Sequence, residues 1–441
     1  MRKAILPHAL AALLLRCCIV FAVAFVERHP TLTAFAYTDI DYTIFSDGAL
    51  LSFQGGSPFD RRTYRYTPYL ADLLSFLVDP SDPGDPLGVR GKLLFCLADV
   101  ACGLLIYRIL LQTSERGAAL STTNMFWLYN PLAVNICTRG SAEALLPLLP
   151  VLLTVALLLR KERGPSHLLL AGLCHGVSVH GKIYPVIYSI AYLVHISPRS
   201  LHPGRGQSFV SLLAPRRLLA IFFQPAALLF TAASLLTFAF LTYTAHVSHP
   251  LFLPNGLLYH LGRVDHRHNY SPFFYPIYLL YPAPGEPASA MLKLLSGLSF
   301  VPQVLLLLHT SLSLAAGDLC FAMFLQSFMF VALNKVVTGQ YLTWYLALLP
   351  LCAARIAWRP MVPRLALVGA AMVGWLCCAG MLELRAEPWF RAVFAMSLAV
   401  MCANVHAFVG FCQCYKGIEG GRAGGGEDGG VARRTRSKKK L

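Results

Sequence analysis

Apolar positions along this chain neither alternate nor keep to one helical stripe. They run on in blocks of roughly 17 to 25 residues, the length that carries an α-helix across about 30 Å of hydrocarbon. The blocks predict spans at 4–26, 92–111, 118–136, 144–159, 166–180, 183–197, 217–241, 289–308, 311–333, 341–357, 364–384 and 390–413. The short pair 166–180 and 183–197 reads either as two spans or as one long or re-entrant segment. The expected fold is an all-α polytopic membrane protein, a bundle of about twelve transmembrane helices over residues 1–416. A tail at 417–441 is Gly-rich and then basic, lacks apolar surface to bury, and reads as disordered.

Composition agrees with that pattern. Hydrophobic residues make up 56% of the chain and charged ones 13%, and the mean hydropathy of +0.58 excludes an ordinary soluble domain. The net charge of +16 is spread over loops. Arg116, the run Arg160-Lys161-Glu162-Arg163, Arg199, Arg205, Arg216, Arg355 and Arg359 fall in alternate connections, and six Lys and Arg crowd 433–440. Basic short loops stay cytosolic, which puts both termini in the cytosol and the loops 27–91 and 242–288 in the lumen. The first of these carries Arg61, Arg62, Arg65 and Arg90, but its length is where the charge bias lapses. Bases so dispersed do not point to nucleic acid. Arg2 and Lys3 before the first apolar run allow a cleaved signal peptide or a retained anchor, and the length of the run favours the anchor. The thirteen cysteines sit mostly inside apolar runs without zinc spacing and read as packing residues, not as a disulfide framework. The ending Lys438-Lys439-Lys440-Leu441 is similar to a dilysine retrieval signal of the endoplasmic reticulum, or else is a basic tail at the membrane surface.

Acidic residues number only 21, which makes Asp39-Ile40-Asp41, with Asp47 six residues on, the most unusual feature of the chain. Carboxylates at a bilayer edge are costly to desolvate and tend to face a wet cavity. If Asp39 to Phe53 is helical, Tyr37, Asp41 and Phe45 share one stripe while Asp39 and Asp47 lie elsewhere. Aspartates also cap helix starts, yet three of them interleaved with Tyr and Phe suit sugar binding by carboxylate hydrogen bonds and aromatic faces. In the second polar loop, Arg263 and Arg267 stand one helical turn apart and could clamp a phosphate. His266 and His268 are too close for one helical face, so that loop does not read as a metal site. The sequon Asn269-Tyr270-Ser271 is followed at once by Pro272 and is expected to stay unmodified.

Five stretches carry a resemblance: Tyr37 to Asp47, Thr63 to Pro68, Gly176 to Pro185, Tyr259 to Tyr275 and Asn334 to Pro350. In them, and in their order, the chain resembles the dolichyl-phosphate-mannose-dependent mannosyltransferases of the GT-C class, and within these the GPI mannosyltransferase I family. One departure is Gly181, where a bulkier residue is expected. The resemblance implies a GT-C-like bundle in the endoplasmic-reticulum membrane with a lumenal active site. It implies α-1,4 transfer of the first mannose from dolichyl phosphate mannose to glucosaminyl-(acyl)phosphatidylinositol, with inversion, and a small stabilising membrane subunit as partner. Asp39 and Asp41 match the family motif, and one of them would be the base. Asp47 joins them as a substrate-binding candidate, and Arg65, Lys182, Arg263, Arg267 and Lys335 are candidates for the lipid-phosphate group. Such cations can do what a metal does for nucleotide sugars, so no cofactor is expected and a divalent metal is not favoured. Another dolichol-sugar mannosyltransferase is the alternative within the enzymes. A lipid transporter or scramblase is disfavoured because the charges gather in one-sided loops and the two halves look unlike. A non-catalytic assembly subunit would not need the carboxylates and cations together.

Overall fold

The computed structural model describes residues 4–29, 31, 36–162, 164–197, 209–262, 265–282 and 289–417. Arg263 and the expected tail beyond Gly417 lie outside them. All regular structure among the described residues is helical, apart from one antiparallel bridge between Ile356 and Tyr415. The N-terminal half is built from α1 (Ile5–Glu27), α2 (Ile40–Phe53), α3 (Pro68–Ser75), α4 (Arg90–Leu110), α5 (Arg116–Thr123), α6 (Pro131–Thr138), α7 (Leu149–Leu158), α8 (Pro165–Gly181) and α9 (Ser189–Ile196). Later helices are given by their ranges.

Every apolar block of the sequence is helical, but not every block is one long helix. Among the described residues, six helices are long and apolar enough to cross a membrane: α1, α4, Pro225–Ser248, Ala290–Leu314, Met361–Arg385 and Phe390–Cys414. Ala144–Leu158, Tyr184–Ile196 and Leu319–Ala332 are shorter apolar helices. Proline accounts for much of the difference. Pro131 follows the Asn130 cap that separates α6 from α5, and Pro147 sits in the π-helical turn Ala144–Leu148 before α7. The span expected at 217–241 starts instead at Pro225, which occupies the first helical position after Gln224. The exposed Leu and Phe of the long helices, Leu10, Leu14, Phe21, Leu235, Leu236 and Phe240 among them, form an apolar outer face suited to lipid.

Two contacts lock the bundle. Between α1 and α4, Arg16 is fully buried and donates from Nε (3.0 Å) and Nη2 (2.7 Å) to Asp99, and from Nη1 to the Ala12 and Leu128 carbonyls. Between α8 and Pro225–Ser248, Gly172 and Gly176 bring the backbones together. A Cβ at either would come within 2.5 Å of the Phe230 or Ser234 carbonyl oxygen. Leucine at Gly176 is expected to cost about 1–3 kcal/mol or more by overpacking against backbone that cannot yield. Thermal unfolding of the detergent-solubilised Gly176→Leu protein measures it, and an unchanged midpoint would refute the close packing.

The connection at 139–143, Lys182 and the turn Gly339–Tyr341 meet residues of the segment 37–68 around one cleft. Arg355 lies elsewhere, in a cluster where it donates to Asp318 (3.0 Å) and Tyr415 donates to the same carboxylate (2.9 Å).

Candidate functional site

Asp39 caps α2. Its backbone is extended (φ −67°, ψ 141°), and its Oδ1 accepts the Asp41 N–H at 3.1 Å. The segment before it is held on both sides. Glu27 at the end of α1 accepts from the Thr38 N–H (2.7 Å) and hydroxyl (2.5 Å), and buried Lys92 of α4 donates to the same hydroxyl (2.6 Å). Arg139 accepts the Asp39 N–H at its carbonyl (2.9 Å), donates from Nε to the Tyr37 carbonyl (2.9 Å) and places Nη2 3.6 Å from the Asp39 carboxylate. Gly140, at φ +94°, makes this turn possible: a Cβ there would strike the Tyr42 ring at 2.5 Å. Burial, together with the nearby Asp41 charge, raises the Asp39 pKa above the usual carboxylate value.

Helical periodicity then separates the three aspartates. Asp41 and Phe45, four apart, line a cleft with Tyr66, Ser141, Ala142, Glu143, Leu146, Pro147, Lys182 and Gln340. Asp47 is on another face of α2 and pairs with Arg61 (2.8 Å) in a half-exposed ion pair away from the cleft. Asp41 accepts from Gln340 Nε2 at 3.0 Å, and the Tyr66 phenol lies against the same carboxylate. Burial and that negative neighbour push Tyr66 well above the ordinary phenol value.

The opposite wall holds a second carboxylate. Glu143 is buried and uses both oxygens: Lys182 Nζ donates to Oε1, and the Trp344 indole donates to Oε2 at 2.7 Å. Trp344 is stacked between Tyr184 (3.7 Å) and Tyr341 (4.2 Å), so neither of its faces is open to a sugar. Lys182 lies 5.3 Å from the centroids of both Tyr341 and Trp344. It follows the last residue of α8, where Gly181 admits the Leu146 carbonyl to 3.3 Å of a would-be Cβ.

The other sequence candidates lie apart. Arg65 stacks on Tyr259 at 4.4 Å and donates to the Tyr64 carbonyl, next in the chain to cleft residue Tyr66. Lys335 is buried, donates to Ser296 (2.9 Å) and packs over Phe300. Arg267 is exposed and is not among the cleft residues, and its surroundings from Asp265 to Tyr270 are not helical. The proposed one-turn clamp with Arg263 therefore has no helix at Arg267, and Arg263 itself lies outside the described residues. His268 approaches Glu383 (3.2 Å) while His266 packs on Tyr281, and no group of three His, Cys, Asp or Glu side chains gathers at a metal-binding distance among the described residues. Asn269 is buried and its Oδ1 accepts from the Ser271 and Val337 N–H groups, which leaves the sequon inaccessible in the folded protein. Sequence reading missed Glu143, Tyr66, Gln340 and Arg139 as site residues. The signal available was Arg139-Gly140-Ser141-Ala142-Glu143, two opposite charges in a short connection between apolar blocks of a chain poor in acids.

The geometry is that of a carboxylate facing a cationic, aromatic wall, and comparison with known proteins agrees. The profile of the family described as Mannosyltransferase (PIG-M) matches residues 136–411. A zebrafish protein named GPI alpha-1,4-mannosyltransferase I, catalytic subunit, is 38% identical over 387 residues, covering 86% of this chain and 90% of the relative. The chain belongs to the PIG-M mannosyltransferase family. A GPI mannosyltransferase 1 of Dictyostelium discoideum is 33% identical over 402 residues (88% of this chain, 87% of the relative), and one of Emericella nidulans is 37% identical over 355 residues (76% and 77%). The protein is thus an all-α polytopic membrane glycosyltransferase, and the transporter and assembly-subunit readings fall. The matched range includes Arg139, Glu143, Lys182 and Gln340, whereas Asp39 and Asp41 precede it.

Proposed function

We propose that this chain transfers the first mannose of a GPI anchor precursor, with dolichyl phosphate mannose as donor, glucosaminyl-(acyl)phosphatidylinositol as acceptor and an α-1,4 linkage as product. The observation that carries the reading is the presence in one cleft of the Asp41 carboxylate and the Lys182 ammonium. The names of the zebrafish and fungal relatives support the GPI acceptor. In a single displacement the acceptor hydroxyl oxygen bonds to the mannosyl anomeric carbon as the bond from that carbon to the phosphate oxygen breaks. The electron pair leaves with dolichyl phosphate, and the hydroxyl proton passes to the base. A β-linked donor gives an α-linked product.

We assign the base to Asp41, since the Asp39 oxygens serve the helix cap and Arg139. Gln340 and Tyr66 orient the Asp41 carboxylate. Lys182 and Arg139 are the cations nearest these carboxylates, and they offset charge on the departing phosphate. Because positive side chains are supplied, the reaction is proposed to run without a metal ion. The cleft is lined from connections that alternate with the basic loops, which supports a lumenal site in the endoplasmic-reticulum membrane. A small membrane subunit is the proposed partner, in keeping with the words "catalytic subunit" in the zebrafish relative's name.

The test is the reaction itself. Membranes of cells that lack the endogenous enzyme and express this chain, given labelled dolichyl phosphate mannose and glucosaminyl-phosphatidylinositol, are expected to form a monomannosylated product sensitive to α-mannosidase. Labelling of some other glycolipid, with none of this product, would move the assignment to another dolichol-sugar mannosyltransferase.

A further inference from the structure

The mechanism above uses Lys182 and leaves its buried partner without a role. Glu143 lines the same cleft as Asp41, is buried, and spends one oxygen on the Lys182 ammonium and the other on the Trp344 indole. Trp344 cannot turn, because rings cover both of its faces at 3.7 and 4.2 Å. The carboxylate is therefore fixed from behind, and it fixes the ammonium in front. With both oxygens engaged, Glu143 is a poor proton acceptor for a substrate hydroxyl. A buried ammonium without a counter-charge would be costly, and a long flexible side chain without a partner would swing toward open water.

We propose that Glu143 is a positioning residue for transfer: anchored on Trp344, it holds the Lys182 ammonium at the point of the cleft where the lipid phosphate of the donor departs. This rests on the assignment of a lipid-phosphate leaving group. Three groups act on the Lys182 charge from the elements around it: Glu143 from the connection before Ala144–Leu148, Tyr341 from the turn Gly339–Tyr341, and Asp41 from α2. Burial by itself presses Lys182 toward the neutral amine. Glu143, followed by the other two, outweighs burial and holds the ammonium above its ordinary value. The phosphate of an arriving donor meets a cation already charged and aimed, so no side-chain reorganisation accompanies bond cleavage.

The test is steady-state transfer in the membrane assay with Glu143→Gln, Glu143→Asp, Lys182→Met and the double variant Glu143→Gln/Lys182→Met. Glu143→Gln keeps an acceptor for Trp344 but loses the charge. It is expected to lower kcat by up to about 10²-fold with little change in acceptor KM, as misplacement of a reacting group does. The alkaline limb of its kcat profile is expected at lower pH, because Lys182 then gives up its proton more easily. Glu143→Asp keeps the charge but draws the ammonium back, and is expected to lose part of kcat with the alkaline limb unmoved. In the Lys182→Met background, Glu143→Gln is expected to cause no further loss, since the residue it positions is gone.

Wild-type kcat and an unmoved alkaline limb in Glu143→Gln would overturn the proposal, and so would losses that multiply in the double variant. If Glu143→Gln does not accumulate, Glu143→Asp decides, and wild-type kcat there is the overturning result. Failure of the underlying functional reading looks different: the wild-type chain itself then forms no monomannosylated product, or the Asp41 variant remains active.

Discussion

Asparagine at Asp41 is expected to reduce mannose transfer by about 10²- to 10⁴-fold, the usual cost of removing a general base. Asparagine at Asp39, two residues away, is expected to be far milder. The physical reason is the division of labour at the start of α2. Asp39 accepts the Asp41 N–H and caps the helix, a task that an Asn oxygen performs about equally well. Asp41 lines the cleft, where Gln340 donates to its carboxylate and the Tyr66 phenol lies beside it. Asn at 41 keeps the size and the contact with Gln340 but cannot take up a proton. Asp39→Ala, by contrast, removes the cap and is expected to cost about 0.5–2 kcal/mol of stability through the loosened helix start. The measurement is turnover in membranes normalised to protein level for Asp39→Asn, Asp39→Ala and Asp41→Asn. Equal loss in the two asparagine variants would mean that both carboxylates act in the chemistry. A near-normal Asp41→Asn would end the assignment of the base.

The largest expected effect on stability lies outside the cleft. Arg16 and Asp99 form an ion pair whose side chains are 0% and 3% exposed, with every bond of the guanidinium directed to Asp99 or to backbone carbonyls. Removing one partner strands the other charge in an apolar interior, at a cost of about 3–5 kcal/mol. Arg16→Leu and Asp99→Leu are each expected to lower the thermal midpoint of the solubilised protein strongly and to deplete it in membranes. The double variant Arg16→Leu/Asp99→Leu leaves no stranded charge and is expected to recover most of the loss. A double variant as unstable as the singles would show instead that the hydrogen bonds to Ala12 and Leu128, rather than charge pairing, carry the contribution.

Much of the fold was legible in the chain. Membrane helices are specified locally, because each must satisfy its own backbone inside hydrocarbon, and an apolar run of sufficient length announces itself without reference to other segments. All the expected blocks are helical for this reason. Their subdivision was less legible. Pro131 and Pro147 mark two of the breaks, and Pro225 moves the start of a long helix eight residues beyond the expected 217.

The chemistry of the site divides in the same way. The stripe of Asp41 and Phe45, the exclusion of Asp47 from that face, and the interest of Lys182 follow from helical spacing, from the scarcity of acids and from the resemblance to known mannosyltransferases. Arg267 and Lys335 drew attention by charge and loop position alone, which cannot say where a side chain points. The sequence by itself determined the membrane class and the helical content, and it singled out the pair of aspartates to examine. Only the tertiary structure decided that Asp39 caps while Asp41 faces the cleft, and that Glu143, Tyr66 and Gln340 complete the site. With the aspartates, the residues of the site come from four separate stretches of chain, Gln340 being 299 positions from the carboxylate it holds. Contacts of that kind depend on how helices pack against one another, through close approaches such as those at Gly172, Gly176 and Gly140, and no local periodicity encodes them.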